Sequence, residues 1–171
     1  MLQRPNAEEH APFFAAYIGQ VPEGDLIQIL ENQQERVHAL FAGLSEEKAM
    51  SRYAPGKWSL KEVLGHITDT ERVMSYRLLR VARGDQTALP GFDENVFVDG
   101  AAFDRRSMTE LLEEFDTVRS ATLKLIRGIQ QEAWARVGTV SNHSTSARAL
   151  AFVIAGHERH HGHVVRERYL K

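Results

Sequence analysis

Apolar side chains recur with a helical period in four stretches of this chain. Across 24–44, Leu26, Leu30, Gln33, Val37, Leu40 and Leu44 fall on one face of a 3.6-residue repeat, and Pro22 and Asp25 are start signals. Ser59 reads as the N-cap of a second helix, with Glu62 completing a capping box. Its stripe is Leu60, Val63, Leu64, Ile67, Met74, Leu78 and Val81, and Gly84 is its stop. A third helix is expected from about Ser107 to Ile129, through Leu111, Leu112, Phe115, Val118, Leu123, Leu125 and Ile126. The fourth starts near Thr145 and runs almost to the C-terminus, burying Ala147, Leu150, Val153, Ile154, Val164 and Val165. No segment alternates as a convincing strand pair. The pattern predicts an all-α fold, a four-helix bundle of antiparallel type. Residues 84–106, around Leu89-Pro90-Gly91, form a long connection between the second and third helices; such a link usually has a function or wraps a core edge. Residues 130–145 read as irregular. Residues 1–23 hold Pro5, Pro12 and Pro22 and are expected to be an N-terminal arm, partly packed through Phe13, Phe14, Tyr17 and Ile18 on the domain formed by 24–171.

Composition removes several classes of chemistry. The 171 residues contain no cysteine, which excludes disulfides, thiolate-bound metals and a cysteine nucleophile. Lys and Arg number 21 against 23 Asp and Glu, so no large basic footprint for nucleic acid is expected. No apolar run approaches the length of a membrane span, and the first residues lack the features of a signal peptide. The expected compartment is the cytoplasm, with neither nucleic acid nor membrane as a partner.

The distinctive feature is the histidines: eight, five of them after position 140. In Gly156-His157-Glu158-Arg159-His160-His161-Gly162-His163, His157 and His161 lie one turn apart on the apolar face of the fourth helix. Two neutral imidazoles at this spacing can hold one divalent cation. Left without a ligand or partner, each would cost free energy in the core. His66, beside Gly65 on the flank of the second helix's stripe, is the third candidate. Three histidines leave coordination positions open, as catalytic sites do. His160 lies at the edge of the buried face and His163 off it, His143 reads as a solvated loop residue, and His10 and His38 have no supporting context. The run also matches H-E-x-x-H, in which Glu158 would be the base of a metalloprotease. Only ten residues follow His161, and Val164 and Glu167 stand where the extended motif needs glycine and histidine. The protease reading is therefore disfavoured.

At these residues the chain resembles the DinB-like family of helical-bundle metalloproteins. The matching stretches are Gly56 to Asp69 (GKWSLKEVLGHITD), Leu89 to Asp93 (LPGFD) and Gly156 to His161, a W-S-x-K-E-x-x-x-H element followed far downstream by H-x-x-x-H. With the helix pattern, the likeness spans most of 24–170. It implies a divalent-metal site on His66, His157 and His161, with zinc or nickel expected, and a homodimer. Assigned members are mostly transferases or isomerases that use low-molecular-weight thiols such as bacillithiol or mycothiol. The expected function is thus metal-dependent transfer of such a thiol to a small electrophilic substrate. The alternatives are a non-catalytic metal-binding stress-response module and a metal-dependent hydrolase.

Roles around the site are less constrained. Asp69, one turn from His66, either orients it or stays solvated. Glu158 is expected as a surface charge, and Arg77, Arg80 and Arg83 as an exposed basic face that could otherwise bind an anionic thiol. Trp58 and Tyr76 are expected in the core, although with Arg77 and Asn95 they could line a pocket.

Overall fold

The structure, a computed structural model, describes residues 2–171. In chain order the helices are α1 (Ala15–Ile18), α2 (Leu26–Phe41), α3 (Glu46–Ala49), α4 (Leu60–Ala82), α5 (Glu94–Ala101), α6 (Met108–Arg127) and α7 (Ala147–Val164), followed by a π turn over Val165–Tyr169. The start signals act as the sequence predicts. The Asp25 side chain accepts from the Gln28 amide, and Ser59 with Glu62 and Ser107 with Glu110 form reciprocal capping boxes, each cap worth about 1 kcal/mol.

Four long helices form the bundle. α4 packs on α6 and α7, and α2 packs on the same two, so α2 and α4 occupy opposite corners. Two apolar clusters fix the directions. Leu26 and Leu30, Leu78, Ile126, and Leu150 meet at one end, and Val37 and Leu40, Leu64, Leu111, and Val165 meet at the other. The chain therefore runs up through α2, down through both α4 and α6, and up through α7. The antiparallel arrangement expected from sequence holds for α4–α7 and α2–α6, whereas α4–α6 and α2–α7 are parallel. Two parallel neighbours cannot be joined by a tight turn, so residues 83–107 return along the bundle. This segment is also more ordered than a plain connection, since it contains α5 and a 3-10 turn over Phe103–Arg105. The stretch 130–145 likewise departs from expectation. Val137–Val140 (β1) and His143–Ser146 (β2) form an antiparallel hairpin, whose turn residues Ser141 and Asn142 have positive φ.

A layer of buried polar groups separates the two clusters, with one group from each long helix: Gln33, Glu71, Arg119 and Glu158. Arg119 is fully buried and donates from Nε and Nη2 to the Glu71 carboxylate at 2.8–3.2 Å and from Nη1 to the Leu30 carbonyl. Gln33 donates to the Ala155 carbonyl at 2.7 Å. Such a pair adds little net stability, but removing one partner costs about 3–5 kcal/mol. It pins the axial register of α2, α4 and α6, and with it the height of every residue one turn away.

The arm is helical in short turns and docks on α7. Arg4 donates to the Ile18 and Val21 carbonyls, and Arg148 of α7 pairs with Glu9. The contact needs glycine at 156, because a Cβ there would stand 2.1 Å from the Tyr17 carbonyl oxygen. Gly156→Ala should consequently lift the arm despite its better helix propensity. A loss of about 1–3 kcal/mol, typical of overpacking, is expected in urea melts, together with faster proteolysis before residue 24. An unchanged melt and unchanged proteolysis would contradict this packing.

Candidate metal centre

His66 sits on α4, and His157 and His161 sit one turn apart on α7, where the two helices pack antiparallel. The three rings converge. Centroids of His66–His157, His66–His161 and His157–His161 lie 4.9, 4.7 and 4.5 Å apart, and one ring nitrogen from each lies within 4.8 Å of the other two. The Nε2 atoms of His66 and His157 face each other at 3.0 Å. Two nitrogens on one tetrahedral zinc, each about 2.0–2.1 Å from it, lie about 3.3 Å apart. The group thus fits a divalent ion with only slight movement. His66 flanks the apolar stripe in sequence but is buried, because the close α4–α7 contact covers the flank as well.

The electrostatics suit a cation. Burial lowers the pKa of His66 to about 4 and of His161 to about 3, with neighbouring imidazoles adding to the effect, and it lowers His157 well below its ordinary value. At neutral pH all three rings are uncharged, the state in which imidazole binds metal.

His66 and His157 are 7% and 6% exposed, whereas His161 is half-buried and faces two openings. One cavity of about 440 Å³ is lined by Phe14, Tyr17, Met74, Arg77 and Phe92 together with the three histidines. The other, about 280 Å³, is lined by Tyr53, Lys57, Asn95, Val164 and Tyr169. Trp58, His160 and His161 border both. Trp58 stands over the His66 ring at 4.6 Å, and Tyr17 of the arm lies edge-on to His157 and His160, each at 5.4 Å. Trp58 is therefore part of the site wall. Tyr17 and Phe14 were visible in the sequence only as apolar arm residues, with nothing to indicate which surface they cover.

Several expectations are corrected. Glu158 is buried, not a surface charge; it lies on the α2 side of α7 with Gln33 and Arg36, away from the imidazoles. That placement also removes it as the base of an H-E-x-x-H site. Arg77 is buried, Arg80 pairs with Asp85, and of the three only Arg83 is exposed, so they form no basic face. Tyr76 is half-exposed on the outer surface rather than in the core. Asp69 accepts from Arg72 at 3.0 Å instead of orienting His66. Asn95 does line a cavity wall. Elsewhere, His38 contacts Asp116 at 2.9 Å, the His10 ring meets the Ala11 carbonyl, and His143 and His163 are exposed.

The fold and the donors define a helical-bundle protein with a three-histidine group that could hold a metal. The DinB superfamily model matches residues 29–165, and the chain belongs to that superfamily. Among solved structures it is similar to YfiT from Bacillus subtilis, described as "a probable metal-dependent hydrolase with an unusual four-helix bundle topology". The two are 14% identical, with a TM-score of 0.77 over 93% of this chain and 91% of that one. It is also similar to the mycothiol-dependent maleylpyruvate isomerase, at 10% identity and a TM-score of 0.64, over 82% of this chain and 59% of that one. Among curated proteins no sequence matches. No described helix is long and apolar enough to cross a membrane.

The buried face of α7 opposite the imidazoles yields a prediction. Burial raises the Glu158 pKa to about 7 against the pull of Arg119, and its Oε2 and the Gln33 Oε1 are both buried acceptors without a donor. The folded state holds a proton that the unfolded chain releases near its ordinary pKa. Stability is therefore lost as pH rises from about 4.5 through 7. Glu158→Gln removes the titration and is expected to stabilise the protein by about 3 kcal/mol at pH 8 and by little near pH 4.5. Urea melts at the two pH values check this; equal effects at both would refute it.

Proposed function

We propose that this protein is a metal-dependent transferase that brings a low-molecular-weight thiol and a small electrophilic substrate together at His66, His157 and His161. The observation that carries the reading is the position of His161 and Trp58 between two cavities, which gives two reactants separate approaches to one point. The thiol must come from outside, since the chain has no cysteine. Bound there, a divalent cation would hold a thiol as its reactive thiolate and would equally lower the pKa of water towards 7. His66, His157 and His161 supply neutral donors, which leave the ion's charge undiminished for the reactant. Zinc or nickel suits a nitrogen-only donor set. Trp58 and Tyr17 shield the rings from bulk water and hold their orientation. Lys57 gives the smaller cavity a cationic mouth suited to an anionic thiol.

A second reading, hydrolysis, is favoured by the description of YfiT and needs no change in these residues. The two openings weigh against a non-catalytic metal-binding stress-response module, which would hold its ion in a closed site. The proposal includes a cytoplasmic homodimer whose partners are small molecules, with no role for nucleic acid or a membrane.

Protein purified without chelators or affinity-tag metal should carry about one zinc or nickel per chain. His66→Ala and His157→Ala should lose that metal while keeping the helical circular dichroism spectrum. The loaded protein should consume thiol in the presence of an activated alkyl halide, faster than it hydrolyses an activated ester. The opposite order of rates would favour the hydrolase. Wild type that neither carries metal nor takes up added Zn²⁺ or Ni²⁺ would overturn both readings.

A further inference from the structure

One face of α4 runs along the larger cavity and presents His66, Thr70, Met74 and Arg77 to it, at steps of four, four and three residues. That spacing is a single helical stripe. At its far end the Arg77 side chain is only 3% exposed, and all its contacts are neutral. It donates to the Pro90 carbonyl at 2.6 Å and the Ser141 hydroxyl at 3.4 Å, approaches Met74 Sδ at 3.6 Å, and lies 5.5 Å from the centre of the Phe92 ring. The contrast with the other held arginines is direct. Arg72, Arg80, Arg106, Arg119, Arg127 and Arg148 all pair with a carboxylate, and Arg136, which donates only to the Ala82 carbonyl, is exposed to water. Among the described residues Arg77 pairs with none.

A guanidinium does not escape burial by losing its proton, and a buried charge without a counter-charge is unfavourable. Burial alone lowers the pKa of this group. The Thr70 hydroxyl, on the same stripe and 4% exposed, is also buried without a partner. Between these polar points the wall is apolar, with Phe14, Met74 and Phe92. Among the described residues Arg77 is the only Lys or Arg on the wall, and the one acid there, Glu94, is exposed. A single planar fork suits a carboxylate, whereas a phosphate dianion would call for a second cation. His66 and Arg77 are eleven residues apart, about 16 Å of helix rise. The arginine side chain leans back towards the helix N-terminus and shortens that span.

We propose that the larger cavity binds a small organic acid, with its carboxylate on Arg77, its apolar body along Met74 and Phe92, and its opposite, reacting end at the three imidazoles. The anchor at Arg77 stands on this chain's own charges. Only the reaction at the other end rests on the function proposed above.

The probes are 4-phenylbutyrate and its uncharged amide, titrated by calorimetry into zinc-loaded and metal-free protein. The acid should bind at least tenfold more tightly than the amide in both forms. Arg77→Met should abolish that preference without changing metal content, and Arg77→Lys should keep part of it. With cobalt in place of zinc, proton relaxation of the bound acid should be fastest for the phenyl ring and slowest for the methylene beside the carboxylate. Equal affinities for acid and amide would overturn the proposal. So would fastest relaxation at that methylene, which would put the carboxylate on the metal. If the arginine variants do not fold, the acid–amide contrast and the relaxation order on wild type decide. If the protein binds no metal, the function proposed above fails, and the contrast on metal-free protein still decides this one.

Discussion

Two neighbouring helices of this bundle, α4 and α6, point the same way, and the chain between them has to travel back along the bundle before it can start again. Much of the site follows from that constraint. The return path carries Pro90 and Phe92 over the end of α4, where they meet Arg77, and it seats α5 against α4. The larger cavity lies between this returning chain and the α4–α7 contact, with the arm as a further wall. A bundle of consecutive antiparallel neighbours could close with short loops, and its interior would fill with side chains along its whole length. Here a wall made of connection rather than helix leaves a space beside the histidines.

The polar layer through the middle of the bundle serves the same end by a different route. Arg119 and Glu71 carry opposite charges at hydrogen-bonding distance deep in the core, so their combined field on the neighbouring imidazoles is that of a dipole, not of a net charge. A lone buried arginine at that height would repel a cation. The pair instead fixes the register of α4 against α6 and α2 while leaving the histidine face of α7 nearly free of net charge. The two faces of α7 are thereby separated: neutral nitrogen donors on one, the acid and amide of the core layer on the other.

How much of this was legible from the sequence depends on the range of the cause. The long helices, their caps and the inward-facing turn of His157 and His161 are consequences of local spacing, and periodicity shows them. His66 was legible as a candidate because it flanks the apolar stripe of α4, although Gly65 beside it makes room for the Phe103 ring and not for α7. Glu158 was misjudged because its burial depends on α2 and α6, which are remote in sequence. Arg77 looked like one of three basic residues at steps of three, and only the return path of residues 83–107 separates it from Arg80 and Arg83. The β1–β2 hairpin was missed because its four-residue strands include Gly138 and the polar run His143-Ser144-Thr145, with no alternating stripe to reveal them. Tyr17 could not be placed on the histidines from the arm alone; its position is encoded at Gly156, where the absence of a side chain lets another segment's backbone approach.

Arg77 also limits how the reactants can be arranged. A cation centred on the imidazoles and a guanidinium at the far end of the same stripe are both positive, so a molecule with its negative charge at one end faces two competing sites. Distance and solvation decide between them. The histidine end opens to both cavities through His161 and is the wetter of the two, which weakens a charge–charge attraction there. The guanidinium lies in an apolar wall, where an ion pair is strong but the acid must first lose its water. An apolar body of sufficient length resolves the competition, because only one orientation lets it lie along Met74 and Phe92 while its charge reaches the arginine. A short acid such as acetate lacks that body, so nothing in this wall directs it to the arginine over the cation. The length of the apolar segment between charge and reacting atom, rather than the charge itself, is therefore the property by which this cavity would select.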